Sequence, residues 1–256
     1  MRYSSKHESR SHRFPAVPAI HIFKNPAAAA TDLYRLRKNI DNMFLPVYFV
    51  PNGQYKKRAT ILDKGKKTRD HILKESRRLF TINGFQRTSI SKIIAETGVK
   101  KGNLYYYFSS KEELGIAVLL DAAEEFADIL DQSLTGSDPI RKIIHSCQAI
   151  MELMQKTHFT GGCLFGNTAL EMSGTNPRFG KILQNVFGHW VEKLQVELQR
   201  AKESGLLNST LTVEVLAVSI VAILEGGIML SRVYENQKAL EQCILTIKNL
   251  LDPEQT

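Results

Sequence analysis

Apolar residues recur at helical spacing through most of the chain. Between residues 66 and 83, one face of a predicted helix carries five residues, and Gly84 ends the segment: Ile72, Leu73, Ser76, Leu79 and Phe80. The same periodicity predicts long helices over 111–134, 138–158, 176–203, 212–233 and 236–251, and a short helix entered from the loop at 161–171. Since no competing strand-like alternation appears, the pattern predicts an all-α protein.

The segment from Thr88 to Leu114 predicts two short helices separated by a tight turn. Ser89 stands at a helix N-cap position before an apolar face, and Gly98 permits the left-handed conformation that a sharp turn requires. The next helix, over 101–107, directs Leu104 and Phe108 inward and leaves Lys, Asn and Tyr side chains outside. Ser110 and Glu113 then have the spacing of a capping box. This arrangement is typical of a helix-turn-helix that enters a DNA major groove.

The distribution of charge favours the same interpretation. Residues 65–111 hold 11 Lys and Arg against 3 Asp and Glu, whereas residues 112–256 hold 11 against 19. A basic head can neutralise phosphates, while an acidic body would repel them.

Together these residues resemble the amino-terminal signature of TetR/AcrR-type transcriptional regulators. The resemblance extends over about 47 residues and rests on these motifs: Ile72-Leu73, Leu79-Phe80, Gly84-Phe85, Thr88-Ser89-Ile90, Gly98-Val99, Lys101-Gly102-x-Leu104-Tyr105-x-Tyr107-Phe108 and Ser110-Lys111-Glu112-x-Leu114. It implies a three-helix DNA-binding head at 63–111 and a larger helical effector-binding and dimerisation domain at 112–252. It also implies a homodimeric repressor that binds a pseudo-palindromic operator and leaves it when a small molecule enters the larger domain.

The resemblance places the DNA contacts residue by residue. Base-reading positions are Lys101, Gly102, Asn103 and Tyr105, and phosphate-contacting positions are Ser89, Lys100, Tyr107 and Lys111. Lysine can donate to guanine and asparagine can bridge the edge of adenine, so these residue types suit the task. Lys100 departs from the family, which usually has a capping serine there.

A second motif, Gly162-Cys163-Leu164-Phe165-Gly166-Asn167, resembles one found in a subgroup of the family, some of whose members respond to electrophiles or aromatic compounds. His158 lies five residues before Cys163, which raises the hypothesis of a reactive thiol with a lowered pKa. The alternative is that Cys163 is a small residue buried by packing.

Apolar residues of the central helices predict an effector pocket for a hydrophobic, aromatic or electrophilic molecule. The predicted lining is Cys147, Met151, Met154, Phe159, Cys163, Phe165, Asn167, Phe187 and Trp190, with Leu170, Phe179 and Leu183 as further apolar candidates and Glu171, His189 and Glu225 as polar ones. The alternative for each of them is an ordinary core or surface residue, because helical apolar spacing alone predicts burial. The helices at 212–233 and 236–251 are expected to form the dimer interface, through Leu216, Ile220, Ile223, Leu224, Gly226, Gly227, Leu240, Ile244, Ile247 and Leu251.

Residues 1–62 are basic, contain five prolines and show little helical period. They are interpreted either as a start site assigned too far upstream or as a disordered basic arm. Three cysteines are too few for a disulfide scaffold or a zinc site, so a reducing cytoplasm is predicted. The longest apolar run, 216–224, is shorter than the ~20 residues of a membrane helix. We expect no membrane association, no metal and no other cofactor.

Two other functional classes were weighed. An enzyme using Cys163 with His158 or Glu171 would need a positioned nucleophile and base, but the sequence has no phosphate loop, metal-ligand cluster or nucleophile elbow. We therefore expect no enzyme. A nucleoid-associated or partner-binding adaptor without a small-molecule effector stays the alternative, because a fold does not dictate a function.

Overall fold

The protein is a stack of α-helices. A computed structural model describes residues 55–251, with side chains from Gly65 onward. In that range nine helices follow one another and no strand occurs: α1 (Tyr55–Asn83), α2 (Ile90–Thr97), α3 (Lys101–Tyr107), α4 (Lys111–Ser133), α5 (Pro139–Gln155), α6 (Leu164–Met172), α7 (Pro177–Glu203), α8 (Val213–Tyr234) and α9 (Lys238–Leu251). The predicted all-α fold is confirmed, while the interpretations of residues 1–54 lie outside the described range.

Helices α1, α2 and α3 form the head. Four apolar side chains meet at its centre. Ile72, Ile93 and Leu104 have no exposed surface, and Leu79 is 2% exposed. The turn between α2 and α3 depends on Gly98, whose φ of 66° lies in the left-handed region that glycine adopts without penalty. His71 Nε2 lies 3.1 Å from the carbonyl oxygen of Thr97, which ties α1 to the end of α2.

Helix α1 starts earlier than the apolar stripe indicated. It begins at Tyr55 rather than near residue 66, so the predicted domain boundary at 62/63 falls inside a helix. Among the side chains that the structure describes, the buried stripe begins at Ile72. The sequence before it has no apolar period, so periodicity could not locate the start of the helix.

The head shares a hydrophobic core with the body. Phe85, just after α1, packs between Phe80 and Phe179 of α7, with ring centroids 5.1 Å and 5.0 Å away. Helices α4 and α6 contribute to the same core, whereas a second core joins α5, α7, α8 and α9. Any change in how α4 and α7 pack therefore reaches the head directly.

Polar side chains begin the helices where the sequence predicted. Ser110 accepts a hydrogen bond from Glu113 N at 3.1 Å at the start of α4. Asp138, followed by Pro139, caps α5 by accepting from Ile140 N at 2.9 Å. Asn176 and Thr212 do the same for α7 and α8. These bonds satisfy amide groups that have no partner inside the first turn of a helix.

Helix α8 is long and apolar enough, by length and composition alone, to cross a membrane. The expectation that no segment reaches that length is wrong, because the run at 216–224 is only the middle of a 22-residue helix. Leu216, Ile220 and Leu224 have no exposed surface and pack in the second core. Their packing is that of a core helix in a folded domain.

The predicted dimer residues mostly lie inside the subunit. Only Ile223 and Gly226 of that set are partly exposed, and the others are buried: Leu216, Ile220, Leu224, Gly227, Leu240, Ile244, Ile247 and Leu251. The exposed apolar face of α8 lies on its other side. We call it the α8 stripe, and it consists of Val215, Val218, Ala222, Met229, Leu230 and Val233. The two faces could not be told apart from the sequence, because α8 is apolar all round.

Candidate functional site

The exposed surface of the head centres on α3. Lys101, Gly102 and Asn103 are exposed on its first turn, while Leu104 is fully buried. Tyr105 and Tyr106 follow with 42% and 67% of their surface exposed. The helix thus presents a lysine, an asparagine and two aromatic hydroxyls on one side while the other side packs on α1 and α2, as a helix inserted into a major groove must.

Positive charge at this surface is concentrated where α3 begins. Lys100 and Lys101 are exposed and form no ion pair with another described residue. In contrast, Arg77 pairs with Glu125 of α4, and Arg78 lies 2.9 Å from Glu75 and 2.6 Å from Glu96. Paired arginines attract phosphate less than lysines without a carboxylate nearby, so α3 is the most suitable anion-binding surface in the head.

Lys100 occupies the N-cap position of α3 and makes no capping bond through its side chain. The departure seen in the sequence is therefore present in the structure. Ser89, by comparison, caps α2 by accepting from Lys92 N at 3.1 Å. The recognition helix consequently starts with an unsatisfied first turn and a cation, although a cation is unfavourable at the positive end of a helix dipole.

Two predicted phosphate contacts have structural partners of their own. The ammonium group of Lys111 donates to the carbonyl oxygen of Gln86 at 3.1 Å and lies 4.5 Å from the ring centre of Phe85. Burial lowers the pKa of Lys111, and Glu171 opposes this shift. Tyr107 is half-buried, and its ring packs edge-on against that of Tyr106, with the ring centroids 5.0 Å apart. Lysine has three donors, so a phosphate contact by Lys111 stays a prediction.

A cavity of about 130 Å³ lies in the body, directly beneath the head. Six helices and the loop before α6 surround it. Its lining is Arg77, Thr81, Ala122, Phe126, Ile129, Ile150, Leu153, Met154, Thr157, Gly162, Cys163, Leu164, Phe165, Trp190, Glu225 and Ile228. Arg77 and Thr81 belong to α1, so a helix of the head forms part of the wall. Ala122, Phe126 and Ile129 add a full face of α4.

Four of the nine predicted pocket residues line this cavity: Met154, Cys163, Phe165 and Trp190. Five do not. Cys147 and Phe159 are packed in the second core, Met151 borders a separate groove between α5 and α9, Asn167 bonds to the head, and Phe187 stacks on Trp190 with ring centres 6.5 Å apart. Leu170 is 90% exposed, and Phe179 and Leu183 belong to the first core. Helical spacing predicts burial, but it does not show where a core is left unfilled.

Cys163 caps α6, with its sulfur 3.4 Å from Gly166 N. Burial raises the pKa of its thiol well above the ordinary value, and the neighbouring carboxyl of Glu225 raises it further. His158, the residue expected to activate it, is exposed. The prediction of a lowered thiol pKa is therefore wrong, since a buried thiol beside a carboxyl is kept protonated.

The other candidate base, Glu171, is engaged at the junction between head and body. Its carboxylate accepts from Gln86 N at 2.8 Å, and Gln86 Nε2 donates to its backbone oxygen at 3.1 Å. These bonds fix the loop after α1 to the end of α6, so Glu171 has a positioning task in the structure.

A second link, which we call the α1 clamp, consists of Asn167, Arg232 and the carbonyl groups of Thr81 and Ile82. Asn167 donates to Thr81 O at 3.2 Å, and Arg232 donates to Ile82 O at 3.2 Å and to Asn167 Oδ1 at 3.2 Å. The carbonyls of the last turn of a helix lack partners inside it, and a cation suits that end of its dipole. The clamp therefore holds the end of α1 from the body.

The loop before α6 approaches α1 closely enough to require glycine. A Cβ added to Gly161 would lie 2.6 Å from Thr81 Cγ2. Asn167 also donates to Gly161 O at 2.8 Å. The motif at residues 162–167 therefore contributes to two parts of the molecule. Cys163 lines the cavity, and Asn167, one helical turn later, contacts α1.

Sequence reasoning missed Arg77, Thr81 and Arg232, which are the residues that join head and cavity. One signal was available for Arg232. Glu225 and Arg232 are the only charged residues of α8 after its first turn, and a charge inside an otherwise apolar helix calls for a partner.

Comparison with known proteins supplies independent findings. Residues 72–118 match the family described as bacterial regulatory proteins, tetR family, and residues 139–247 match the tetracyclin repressor-like C-terminal domain. The HTH-type transcriptional repressor DhaR of Mycobacterium sp. strain GP1 is 26% identical over 187 residues, which cover 72% of this chain and 92% of DhaR. The repressor NemR of Escherichia coli K12 is 25% identical over 191 residues, which cover 72% of this chain and 94% of NemR.

Solved structures agree with these sequence matches. A TetR transcriptional regulator from Chloroflexus aurantiacus J-10-fl is 30% identical and superimposes with a TM-score of 0.68, covering 73% of this chain and 95% of that one. A regulatory protein TetR from Rhodobacter sphaeroides, 23% identical, shares the fold with a TM-score of 0.67, covering 71% of this chain and 97% of that one.

Proposed function

The chain belongs to the TetR family of DNA-binding transcriptional regulators, and from that premise we propose that it is a repressor released from its operator by a small molecule in the cavity. The effector is a hydrophobic or aromatic molecule. An electrophilic effector is disfavoured by the raised pKa of Cys163, because the thiolate is the reactive form.

On the DNA side, α3 enters the major groove with its first turn against the base edges. Lys101 and Asn103 read bases through hydrogen bonds, and Tyr105 reaches a base or the backbone. Gly102 lets the helix approach the DNA closely, because it has no side chain. A Cβ there would meet nothing within 4 Å in the protein, so packing within the subunit does not call for glycine at this position. Tyr106, more exposed than Tyr105, is a further candidate for a phosphate contact.

Two subunits pair through the α8 stripe together with α9. Met229 and Val233 are 57% and 68% exposed, and a row of apolar residues along one helix forms a self-complementary surface about a twofold axis. Leu245 on α9, at 54% exposure, extends the apolar surface. A dimer of this kind presents two copies of α3 to two half-sites, so the operator is pseudo-palindromic.

One observation carries the regulatory part of the proposal: α1 of the head forms a wall of the cavity through Arg77 and Thr81. A ligand in the cavity contacts α1 and α4 at once, and those two helices hold the recognition helix. Because a ligand shifts an equilibrium only by its difference in affinity for two states, the effector must bind better when α1 stands away from its DNA-binding position.

The α1 clamp provides the connection between cavity and head. Thr81 lines the cavity through its side chain and accepts from Asn167 through its carbonyl oxygen. Displacing Thr81 thus loosens the bond that fixes the end of α1. Arg232→Met removes the clamp's cation while keeping a long apolar side chain, and we expect it to reduce the effect of ligand on DNA affinity without removing DNA binding.

The proposal is tested by selecting binding sites from a random DNA pool and measuring the affinity for the selected sequence. A regulator prefers its operator over random DNA by roughly 10³-fold or more. A thermal melting screen on the same protein then identifies ligands, and these are tested for release of the operator. A flat selection profile contradicts the proposal and favours the nucleoid-associated or adaptor alternative.

A further inference from the structure

Two buried polar atoms without a hydrogen-bond partner belong to residues that line the cavity. In the part of the chain that the structure describes, four buried side-chain atoms lack a partner, and two of them, Glu225 Oε1 and Trp190 Nε1, belong to residues that line this one cavity. Unpartnered buried polar groups are rare in folded proteins, because burial removes their hydrogen bonds to water and no protein group replaces those bonds. Their presence together in one cavity indicates that a ligand completes them.

The pair has opposite hydrogen-bonding requirements. The indole N–H of Trp190 can only donate, and so needs an acceptor on the ligand. The carboxyl of Glu225 is adjacent to Cys163. Burial raises the pKa of this carboxyl, and a hydrogen bond with the Cys163 thiol opposes the shift. Its unpartnered oxygen accepts a hydrogen bond from a ligand donor. A hydroxyl group is both donor and acceptor, whereas an ammonium ion has no acceptor and a hydrocarbon has neither.

The rest of the cavity fits a single ring. Its volume is about 130 Å³, and apolar cavities of about 150 Å³ are known to bind benzene. Phe126 lies 5.2 Å from Trp190 and 5.7 Å from Phe165, measured between ring centres, so three aromatic rings line one part of the space. The cation at its edge, Arg77, is paired with Glu125 and disfavours a positively charged ligand.

We propose that the cavity binds a neutral molecule about the size of one ring that carries a hydroxyl group, held between Glu225 and Trp190. This inference rests on the proposed function for its regulatory meaning, but the binding itself is independent of DNA. Glu225 stands two helical turns before Arg232 on α8, and Cys163 stands one turn before Asn167. The hydroxyl site therefore shares α8 with the α1 clamp, through Glu225 and Arg232, while Trp190 belongs to α7.

Phenol and toluene provide a matched pair of probes, because a hydroxyl in one replaces a methyl in the other. A purely apolar cavity prefers toluene, since phenol must surrender its hydrogen bonds to water. We expect the reverse order here, with phenol binding about tenfold more tightly to the wild-type dimer by calorimetry. Tighter binding of toluene, or of cyclohexylamine as a cationic probe, overturns the proposal, as does the absence of binding by all three.

Two variants test whether Trp190 and Glu225 cause the preference for phenol over toluene. Trp190→Phe keeps an aromatic ring and removes the N–H, and should weaken phenol about fivefold more than it weakens toluene. Glu225→Met keeps the length and removes the carboxyl, and should make toluene the preferred ligand. Glu225→Met should also raise the melting temperature of the unliganded protein, because it removes a buried carboxyl one of whose oxygens has no hydrogen-bond partner. A lower melting temperature would show that Glu225 has a structural task and would contradict the proposal.

Failure of the inference and failure of the proposed function are distinguishable. If phenol binds by calorimetry as expected but leaves operator affinity unchanged, the hydroxyl site stands and the release mechanism is wrong. If operator binding is specific but phenol does not bind, the chain is a regulator and the hydroxyl site is wrong.

Discussion

At the scale of single residues, two groups of side chains underlie the proposed function: the exposed first turn of α3, and Glu225 with Cys163 at the cavity. Lys101, Gly102 and Asn103 are exposed as expected, because a short helix with Leu104 on its buried face has only one orientation. Glu225 and Cys163 lie side by side although 62 positions separate them in the chain. No local pattern in the sequence could predict that these two residues are neighbours.

The sharpest prediction at this scale concerns Asn103. We expect Asn103→Ala to weaken binding to the selected operator by about 1 to 3 kcal/mol and to relax the preference at one base position, since a base-edge contact is lost. Binding to random DNA should change little. Fluorescence anisotropy on both DNAs provides the measurement.

Asn249→Ala is the matched control, because Asn249 is exposed on α9, in the body. It should leave both affinities unchanged. An equal loss on operator and random DNA for Asn103→Ala would mean that Asn103 does not read a base.

At the scale of helices, the caps at the starts of the long helices were readable from the sequence, and the first turns of α1 were not. Ser, Thr, Asp and Asn before an apolar period mark a helix start because their side chains bond to first-turn amides. Tyr55 to Gly65 carries no such period. Which face of α8 contacts the subunit's own core was equally unpredictable, since both faces are apolar.

We expect the missing N-cap of α3 to lower the stability of the protein. Lys100→Ser would supply the missing cap, and we expect it to stabilise the protein by up to about 1 kcal/mol in urea unfolding. The same change removes a cation, so DNA binding should weaken and its salt dependence should fall by about one counterion.

Lys100→Ala separates the two effects of that change. It removes the charge without adding a cap, so it should weaken DNA binding to a similar degree and give no gain in stability. Equal stability of the serine and alanine variants would contradict a capping explanation.

We expect the stability of the fold to depend on pH through a contact between α4 and α7. A hydrogen bond from Arg178 lowers the pKa of Glu113 in the folded protein. A carboxyl whose folded pKa is depressed stabilises the fold above its unfolded pKa, and this stabilisation is lost as the pH falls through the folded value. Arg178→Gln should therefore unfold more easily than wild type at pH 7.

Because both side chains are partly exposed, the expected difference is only about 0.2 to 1 kcal/mol. It should shrink as the pH falls below about 4, where carboxyls become protonated. Urea unfolding at pH 7 and at pH 3 measures it, and a difference that persists unchanged at pH 3 would exclude the ion pair as its cause.

At the scale of the whole molecule, the sequence predicted two parts and the structure shows how closely they are joined. Phe85 packs with Phe179 across the boundary, and Asn167 and Arg232 hold the last carbonyls of α1. These contacts bring together residues far apart in the chain, and so no periodicity could reveal them. In the proposed mechanism, these contacts connect the cavity to the head.

Assembly is the next prediction at this scale. We expect Met229→Glu to convert the wild-type dimer into a monomer, because a carboxylate would be buried at the centre of an apolar interface. Sedimentation equilibrium measures the mass directly.

Leu170→Glu is the matched control, since Leu170 is a 90% exposed leucine on α6, outside the α8 stripe. It should leave the mass unchanged. Retention of the dimer by Met229→Glu would show that subunits pair through another surface.

The central claim is that cavity and recognition helix are energetically coupled, and coupling between two binding sites is reciprocal. The most direct measurement titrates the best ligand from the melting screen into the free dimer and into the dimer saturated with operator. Operator should weaken ligand binding by the same factor by which ligand weakens operator binding, roughly 5- to 150-fold. Identical ligand affinities with and without operator would contradict it.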